Sequence, residues 1–220
     1  YRAFNRKVLD RLPIVSPGGS DSGMLDNALE FLVLSGRDLA HAMMMLIPEA
    51  WDHDPLMRDE KKAFYQYHQS LIEPWDGPAS IACTDGTRIA GVLDRNGLRP
   101  SRYWVTKDGF VVLSSECGVL PINPEDVLYK GRLQPGRMLL IDTAEGRIIP
   151  DDEIKSYYAR RQPYRKWLTD NLTKLADLPA KSALAGGDGE VDRHTRQQLF
   201  GYTLEDLRIL LAPMAATAIE

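Results

Sequence analysis

One polar turn between two apolar runs carries the residue types best suited to chemistry. The run LDRNGLRPSRY contains Asp94, Asn96, Gly97, Arg99 and Pro100. Gly97 allows a tight reversal of the chain, and Pro100 keeps Arg99 out of a helical conformation. A carboxylate, an amide and a guanidinium held on a turn of this shape could bind a polar substrate. The alternative is an ordinary hairpin with a surface arginine.

Three further segments contain candidate binding or reactive side chains. In PGGSDS, Asp21 is placed to bind a cation or an ammonium group, unless Ser20 or Asp21 only caps the helix that follows. In EPWDGPAS, Trp75 lies between prolines and beside acidic residues, and the simpler interpretation is that it closes one end of the core. In SSECG, Cys117 is a candidate nucleophile, but no histidine lies near it in sequence, and free cysteines usually behave as small buried groups.

The composition excludes several classes of protein. The chain has 220 residues, a formal net charge of -4 and 26% charged residues. Nucleic-acid binding needs a concentrated basic face, which this acidic sequence lacks, so no nucleic-acid partner is expected. No apolar run reaches the roughly 18 residues of a membrane span, and no membrane partner is expected. Two cysteines and four scattered histidines form no ligand pattern, so no metal site is expected, and the low cysteine content fits a reducing compartment.

The elements that must position these residues fall into two blocks. Helical spacing of apolar residues predicts helices over residues 21–35, 39–46 and 56–71. From Gly77 to Ile149, short β-type runs alternate with turns that contain Asp-Gly, Asn-Gly and Glu-Gly pairs. Turns at such short spacing predict consecutive antiparallel hairpins. Helices followed by an antiparallel meander predict an α+β fold with helices packed on a sheet.

After Pro150 the β-type runs stop. Residues 151–175 have a helical pattern, residues 179–190 are small and Gly-rich, and Thr203 is placed to cap a final amphipathic helix. We therefore expect three parts, at residues 1–150, 151–193 and 194–220. The second is a helical and Gly-rich linker, and the third belongs to the next structural unit.

Several long segments resemble one family. GGSDSGMLDNALE, AMMMLIPEAWDHD, FYQYHQSLIEPWDGPAS and GVLDRNGLRPSRYWVTKDG resemble the class II glutamine amidotransferase domain of glutamate synthase large (alpha) subunits. The resemblance runs from about residue 12 to residue 154. The closing RQQLFGYTLEDLRILLAPMA resembles the start of the central domain in that family. On this resemblance, residues 1–150 are part of the amidotransferase domain and residues 194–220 begin the central domain.

The resemblance implies an Ntn-hydrolase αββα sandwich, which would be incomplete at the N-terminus in this chain. In the family, an N-terminal cysteine attacks the glutamine side-chain amide, and the released ammonia travels to a site with FMN and an iron–sulfur cluster, where 2-oxoglutarate becomes glutamate. The implied partners are glutamine, the rest of the large subunit and a small NADPH-oxidising subunit. The implied location is the cytoplasm, or the plastid in a plant or alga. Cofactors are expected only in the parent enzyme and not in this segment.

Transferred residue by residue, the resemblance assigns few roles to this chain. Asp21 matches the family aspartate that binds the α-ammonium of glutamine. Asp94, Asn96, Gly97 and Arg99 match a family turn and are expected to support the site. No residue here matches the nucleophile, so no catalytic residue is expected, and the segment alone should be inactive. Two alternatives stay open: a non-catalytic scaffold module, or another class II amidotransferase of the amidophosphoribosyltransferase or asparagine synthetase type.

Overall fold

The computed structural model describes residues 12–178 and 191–217 of the chain. By their internal contacts, the residues divide into two compact units, Tyr1–Leu172 and Thr173–Glu220. The first unit contains helices and antiparallel strands, which confirms the α+β prediction. The second contains only helical segments among its described residues. The Gly-rich residues 179–190 of the expected linker lie outside the described ranges.

Three helices precede the strands. They are α1, Asp21–Leu34; α2, Leu39–Leu46; and α3, Asp59–Gln69. The α1 helix is capped by Ser20, whose Oγ accepts a hydrogen bond from the Gly23 N–H at 3.2 Å. The α2 helix is buried on nearly every side, as its almost continuous apolar sequence LAHAMMML requires. The methionine run therefore belongs to the core.

Seven strands form two antiparallel sheets. They are β1, Ser80–Thr84; β2, Arg88–Leu93; β3, Arg102–Thr106; β4, Val111–Ser114; β5, Val127–Arg132; β6, Met138–Asp142; and β7, Arg147–Ile149. Sheet A has the order β1-β2-β6-β7, and sheet B has the order β4-β3-β5. The predicted hairpins β1–β2, β3–β4 and β6–β7 are confirmed. The prediction of consecutive hairpins is wrong at the polar turn, because β2 lies in sheet A and β3 lies in sheet B, so this turn links the two sheets. Non-local pairing of β2 with β6 and of β3 with β5 completes each sheet.

The layers follow from the alternation of side chains along the strands. In β2, Ala90 and Val92 belong to the core shared with the helices, and Leu93 belongs to a second core shared with sheet B. Gly91 also faces sheet B, because a Cβ atom there would lie 2.5 Å from Leu113 Cδ2. The described residues thus stack a helical layer, sheet A and sheet B. This arrangement agrees with the sandwich that the resemblance implies.

Two helices follow the strands in the first unit. They are α4, Asp151–Arg160, and α5, Tyr164–Asn171. The sequence pattern predicts one helix through residues 151–175, but the helix is interrupted at Pro163. Proline has no N–H to donate and would clash with a preceding helical turn. In the second unit, α6 spans Arg193–Leu199, and a π-helical segment Asp206–Leu211 continues into α7, Ala212–Thr217. The predicted cap is present, since Thr203 Oγ1 accepts the Asp206 N–H at 3.0 Å.

Candidate functional site

The polar segments identified in the sequence meet at one cleft. The start of α1, the strand entry at Trp75–Ile81, the exit of the polar turn and the residues after β4 line a cavity of about 660 Å³. We call it the Asp21 cleft. Its polar and charged lining residues are Asp21, Ser22, Asp76, Ser80, Arg99, Ser115 and Glu116. Segments nearly 100 residues apart in sequence thus form one potential binding surface.

Asp21 is available to a ligand. Because Ser20 supplies the side-chain cap of α1, Asp21 occupies the first helical position with its carboxylate exposed. The carboxylate has no hydrogen bond or ion pair with any other described residue. The interpretation in which Asp21 only caps the helix is therefore not supported, since Ser20 does so. A free carboxylate at the edge of a cleft can pair with an ammonium group.

Trp75 both closes the core and lines the cleft. Its indole packs against the large apolar cluster, as the simpler interpretation predicted. The backbone N–H of Trp75 donates to the Leu46 carbonyl oxygen at 2.7 Å. This bond ties the strand entry to the end of α2. The neighbouring Asp76 carboxylate is paired with the Arg95 guanidinium at 2.7 Å. Asp76 is therefore less available to a ligand than Asp21.

Asp94 lies beneath the cleft and is not part of its lining. The side chain is buried, with Oδ1 accepting the Ala79 N–H at 3.1 Å and Oδ2 accepting the Asn96 N–H at 2.9 Å and the Gly97 N–H at 3.2 Å. Asp94 thus fixes the strand entry and the polar turn relative to each other. Ala79 lines the cleft, so the carboxylate shapes the cleft wall from below.

Gly97 and Asn96 also lie away from the cleft. Gly97 has a φ of +64°, and a Cβ atom there would lie 2.6 Å from Pro135 Cγ. The residue permits both the turn and its close packing on the next loop. Asn96 is exposed, and its contribution to the turn is the N–H that Asp94 holds.

Arg99 is the member of the predicted turn that reaches the cleft. It is exposed, and its guanidinium forms no hydrogen bond or ion pair with another described residue. Glu116, from the segment after β4, also contributes an unpaired carboxylate. Our sequence reasoning identified the Glu116 segment but did not select Glu116 as a site residue. No local signal marks it, because it meets Asp21 only through the tertiary fold.

Neither cysteine is placed to attack a ligand in the Asp21 cleft. Cys83 lies on β1, and burial raises the pKa of its thiol to about 11, so the thiol stays protonated near neutral pH. Cys117 is exposed in a separate groove beside Arg102, with Sγ 3.9 Å from a guanidinium nitrogen. Neither residue lines the Asp21 cleft.

A second titratable cluster lies within the helical layer. The Nε2 atoms of His41 and His68 are 2.9 Å apart, and His68 Nδ1 is 2.8 Å from the Phe64 carbonyl oxygen. Burial lowers the pKa of His41 to about 4, with help from Arg37 and Arg161, while Asp38 opposes the change. Burial likewise lowers the pKa of His68 to about 3. Both histidines are therefore neutral in the folded protein at pH 7.

The described residues contain neither a metal-binding cluster nor a membrane-spanning helix. Across residues 12–178 and 191–217, no group of three or more histidine, cysteine, aspartate or glutamate side chains is arranged to hold a metal ion. No helix within these ranges has the length and apolar character to cross a membrane. Of the predicted site residues, Asp21 and Arg99 line the Asp21 cleft, whereas Asp94, Asn96 and Gly97 do not.

The fold and the cleft agree with the family that the sequence matches. The profile of the class II glutamine amidotransferases matches residues 2–167. The chain therefore belongs to the class II glutamine amidotransferase family.

Curated relatives of the chain within that family include glutamate synthases. The chain is 53% identical to the NADPH glutamate synthase large chain of Bacillus subtilis, over 96% of this chain and 14% of that protein. It is 41% identical to the corresponding large chain of Azospirillum brasilense, over 100% of this chain and 15% of that protein. A chloroplastic ferredoxin-dependent glutamate synthase 2 of Arabidopsis thaliana is 42% identical over 96% of the chain and 13% of its own length. The chain thus spans about a seventh of the length of these three relatives.

Proposed function

We propose that this chain forms the glutamine-binding wall of the amidotransferase domain in a glutamate synthase large subunit. Asp21 accepts hydrogen bonds from the α-ammonium of glutamine, and Asp94 and Gly97 hold the wall of the cleft behind it. The observation that carries this proposal is the unpaired Asp21 carboxylate on a cleft shared by four polar segments. Membership of the amidotransferase family supports glutamine as the ligand.

The chemistry of the parent protein extends beyond this segment. We propose that the attacking cysteine, which carries its own α-amino group as base, lies elsewhere in the longer polypeptide. FMN and an iron–sulfur cluster would also lie outside the segment. For the cluster, two cysteines are too few to supply its thiolate ligands. The remaining large subunit would be the obligatory partner, and a small NADPH-oxidising subunit a further one. The complete enzyme would act in the cytoplasm, or in the plastid of a plant or alga.

The kinetic test uses the full-length polypeptide that contains this segment. Asp21→Asn should raise the glutamine KM about 30- to 150-fold, which corresponds to about 2–3 kcal/mol for one charge-assisted hydrogen bond. Glutamate synthesis from added ammonia should not change, since ammonia bypasses the glutamine site. Asp26→Asn is the matched control, because Asp26 is exposed on the same helix but does not line the cleft. An unchanged glutamine KM in Asp21→Asn would refute the assignment and would favour a non-catalytic scaffold role.

A second experiment tests the missing nucleophile. The 220-residue chain alone should release ammonia from glutamine only at the background rate. A glutaminase rate that Cys117→Ala abolishes would overturn this proposal, because it would place the nucleophile within the segment.

A further inference from the structure

A buried lysine on α4 connects two loops beneath the Asp21 cleft. The side chain of Lys155 is 4% exposed. Its Nζ donates to the Gly136 carbonyl oxygen at 2.7 Å, and it lies 3.0 Å from Asp151 Oδ2 and 3.3 Å from Glu49 Oε1. A cation this deeply buried is costly unless it is paired and hydrogen-bonded. The three contacts satisfy that requirement and fix Lys155 in one position.

The charges around Lys155 are balanced by other residues as well. Glu49 Oε1 also accepts the Tyr65 hydroxyl at 2.9 Å and lies 3.0 Å from Lys61 Nζ. Asp151 also lies near Arg137, at 3.7 Å. Removal of the Lys155 charge therefore leaves each carboxylate with a second cationic partner.

Gly136 links Lys155 to the polar turn through two hydrogen bonds. Its carbonyl is held by Lys155, and its N–H donates to the Asp94 backbone oxygen at 3.1 Å. Its φ of +64° and its close approach to Glu49, whose Cβ would lie 2.7 Å from an added Cβ, leave the loop little freedom. Lys155, Gly136 and Asp94 are thus joined by consecutive hydrogen bonds.

Asp94 completes the connection to the cleft, because its Oδ1 accepts the N–H of Ala79, a lining residue. We propose that Lys155 is a positioning residue for the Asp21 cleft, acting through Gly136 and Asp94 to hold the Ala79 wall. This inference rests on the proposed function, since it assigns Lys155 to glutamine binding. A residue needed only for stability would not affect the glutamine KM at temperatures where the protein stays folded.

Two matched variants test the connection directly in the 220-residue chain. Lys155→Met removes the ammonium that holds Gly136. Lys61→Met removes an ion pair to the same Glu49 oxygen without any contact to Gly136. Amide hydrogen exchange at Ala79 and Gly97 should accelerate at least 5-fold in Lys155→Met and stay within 2-fold of the parent in Lys61→Met. Equal exchange in the two variants would overturn the proposal.

The same two variants are then assayed in the full-length polypeptide. Lys155→Met should raise the glutamine KM about 3- to 10-fold with ammonia-dependent turnover unchanged, and Lys61→Met should change neither. An unchanged KM in Lys155→Met would overturn the inference even if Asp21→Asn raises it. An unchanged KM in Asp21→Asn together with faster exchange at Ala79 would instead refute the glutamine site.

A double variant tests the same connection if Lys155→Met folds poorly. In Lys155→Met combined with Asp151→Asn, the paired charges are removed together, and the asparagine Oδ1 can still accept the Met138 N–H that Asp151 holds at 2.8 Å. The double variant should show the same faster exchange at Ala79 and the same rise in glutamine KM. Its failure to do so would overturn the inference.

Discussion

Acidification from pH 7.5 to pH 5 should destabilise this fold through the buried pair His41 and His68. The Phe64 carbonyl can only accept a hydrogen bond, so His68 Nδ1 carries the proton and His68 Nε2 is the acceptor for His41 Nε2–H. A second proton on His68 would turn that acceptor into a donor that faces another donor. The folded state therefore resists protonation of His68, and burial together with the nearby Arg37 and Arg161 opposes a second proton on His41.

The sign and size of the effect follow from the pKa values. Both folded values, about 4 and about 3, lie below the ordinary 6.5, so the unfolded chain binds more protons between about pH 6.5 and pH 4. Stability is thus complete above pH 6.5 and is lost as the pH falls through that window. At pH 5, each histidine lowers the free energy of unfolding by about 2 kcal/mol, because its pKa in the unfolded chain lies 1.5 units above that pH. We expect a loss of about 2–4 kcal/mol, since partial exposure of His41 reduces its share.

The assay is urea unfolding of the chain at a series of pH values from 7.5 to 5. This window lies above the pKa range in which aspartates ordinarily titrate, so their contribution is small. A variant with His41→Gln and His68→Gln should lose most of the pH dependence, whereas His53→Gln, at an exposed position, should retain it. A flat stability profile in the parent chain, or an equal slope in the double variant, would refute the reasoning.

Two further predictions concern packing, and both are measured as free energies of unfolding in urea. Gly97→Ala should lower the free energy of unfolding more than Gly146→Ala does. Both glycines have a φ of +64°, where an alanine costs about 1–2 kcal/mol, but only at Gly97 would the new Cβ collide with Pro135. Equal costs would show that the contact with Pro135 relaxes freely. Phe64→Ala should cost about 3–5 kcal/mol, because the ring is fully buried at the centre of the aromatic and methionine core. A loss below about 1 kcal/mol would contradict that placement.

The secondary structure could be predicted because its signals are local. The cap at Ser20, the apolar spacing of α1 and the Gly turns between strands each act over a few residues. The interruption at Pro163 is also a local signal, because proline has no backbone N–H to donate, although the residues around it have a helical pattern. The pairing of β3 with β5 depends on contacts across more than 20 residues and has no comparable signature.

The residues of the cleft could also be predicted only where their signals are local. The sequence indicated Asp21, the EPWDGPAS segment and the polar turn separately, and the family resemblance gave Asp21 its role. That Arg99 faces the cleft while Asp94 lies buried beneath it depends on how the turn packs against Ala79 and Gly136. Alternation along a strand predicts which face a residue occupies, but it does not predict side-chain direction in a turn. The hydrogen bond from Lys155 to Gly136 also depends on tertiary packing and could not be predicted from the sequence.

The most direct test of glutamine binding is a crystal structure of the full-length polypeptide with glutamine bound and its nucleophile inactivated. We predict that the α-ammonium nitrogen lies about 2.8 Å from a carboxylate oxygen of Asp21, as in a charge-assisted hydrogen bond. Glutamine bound elsewhere, with Asp21 facing solvent, would contradict the central claim.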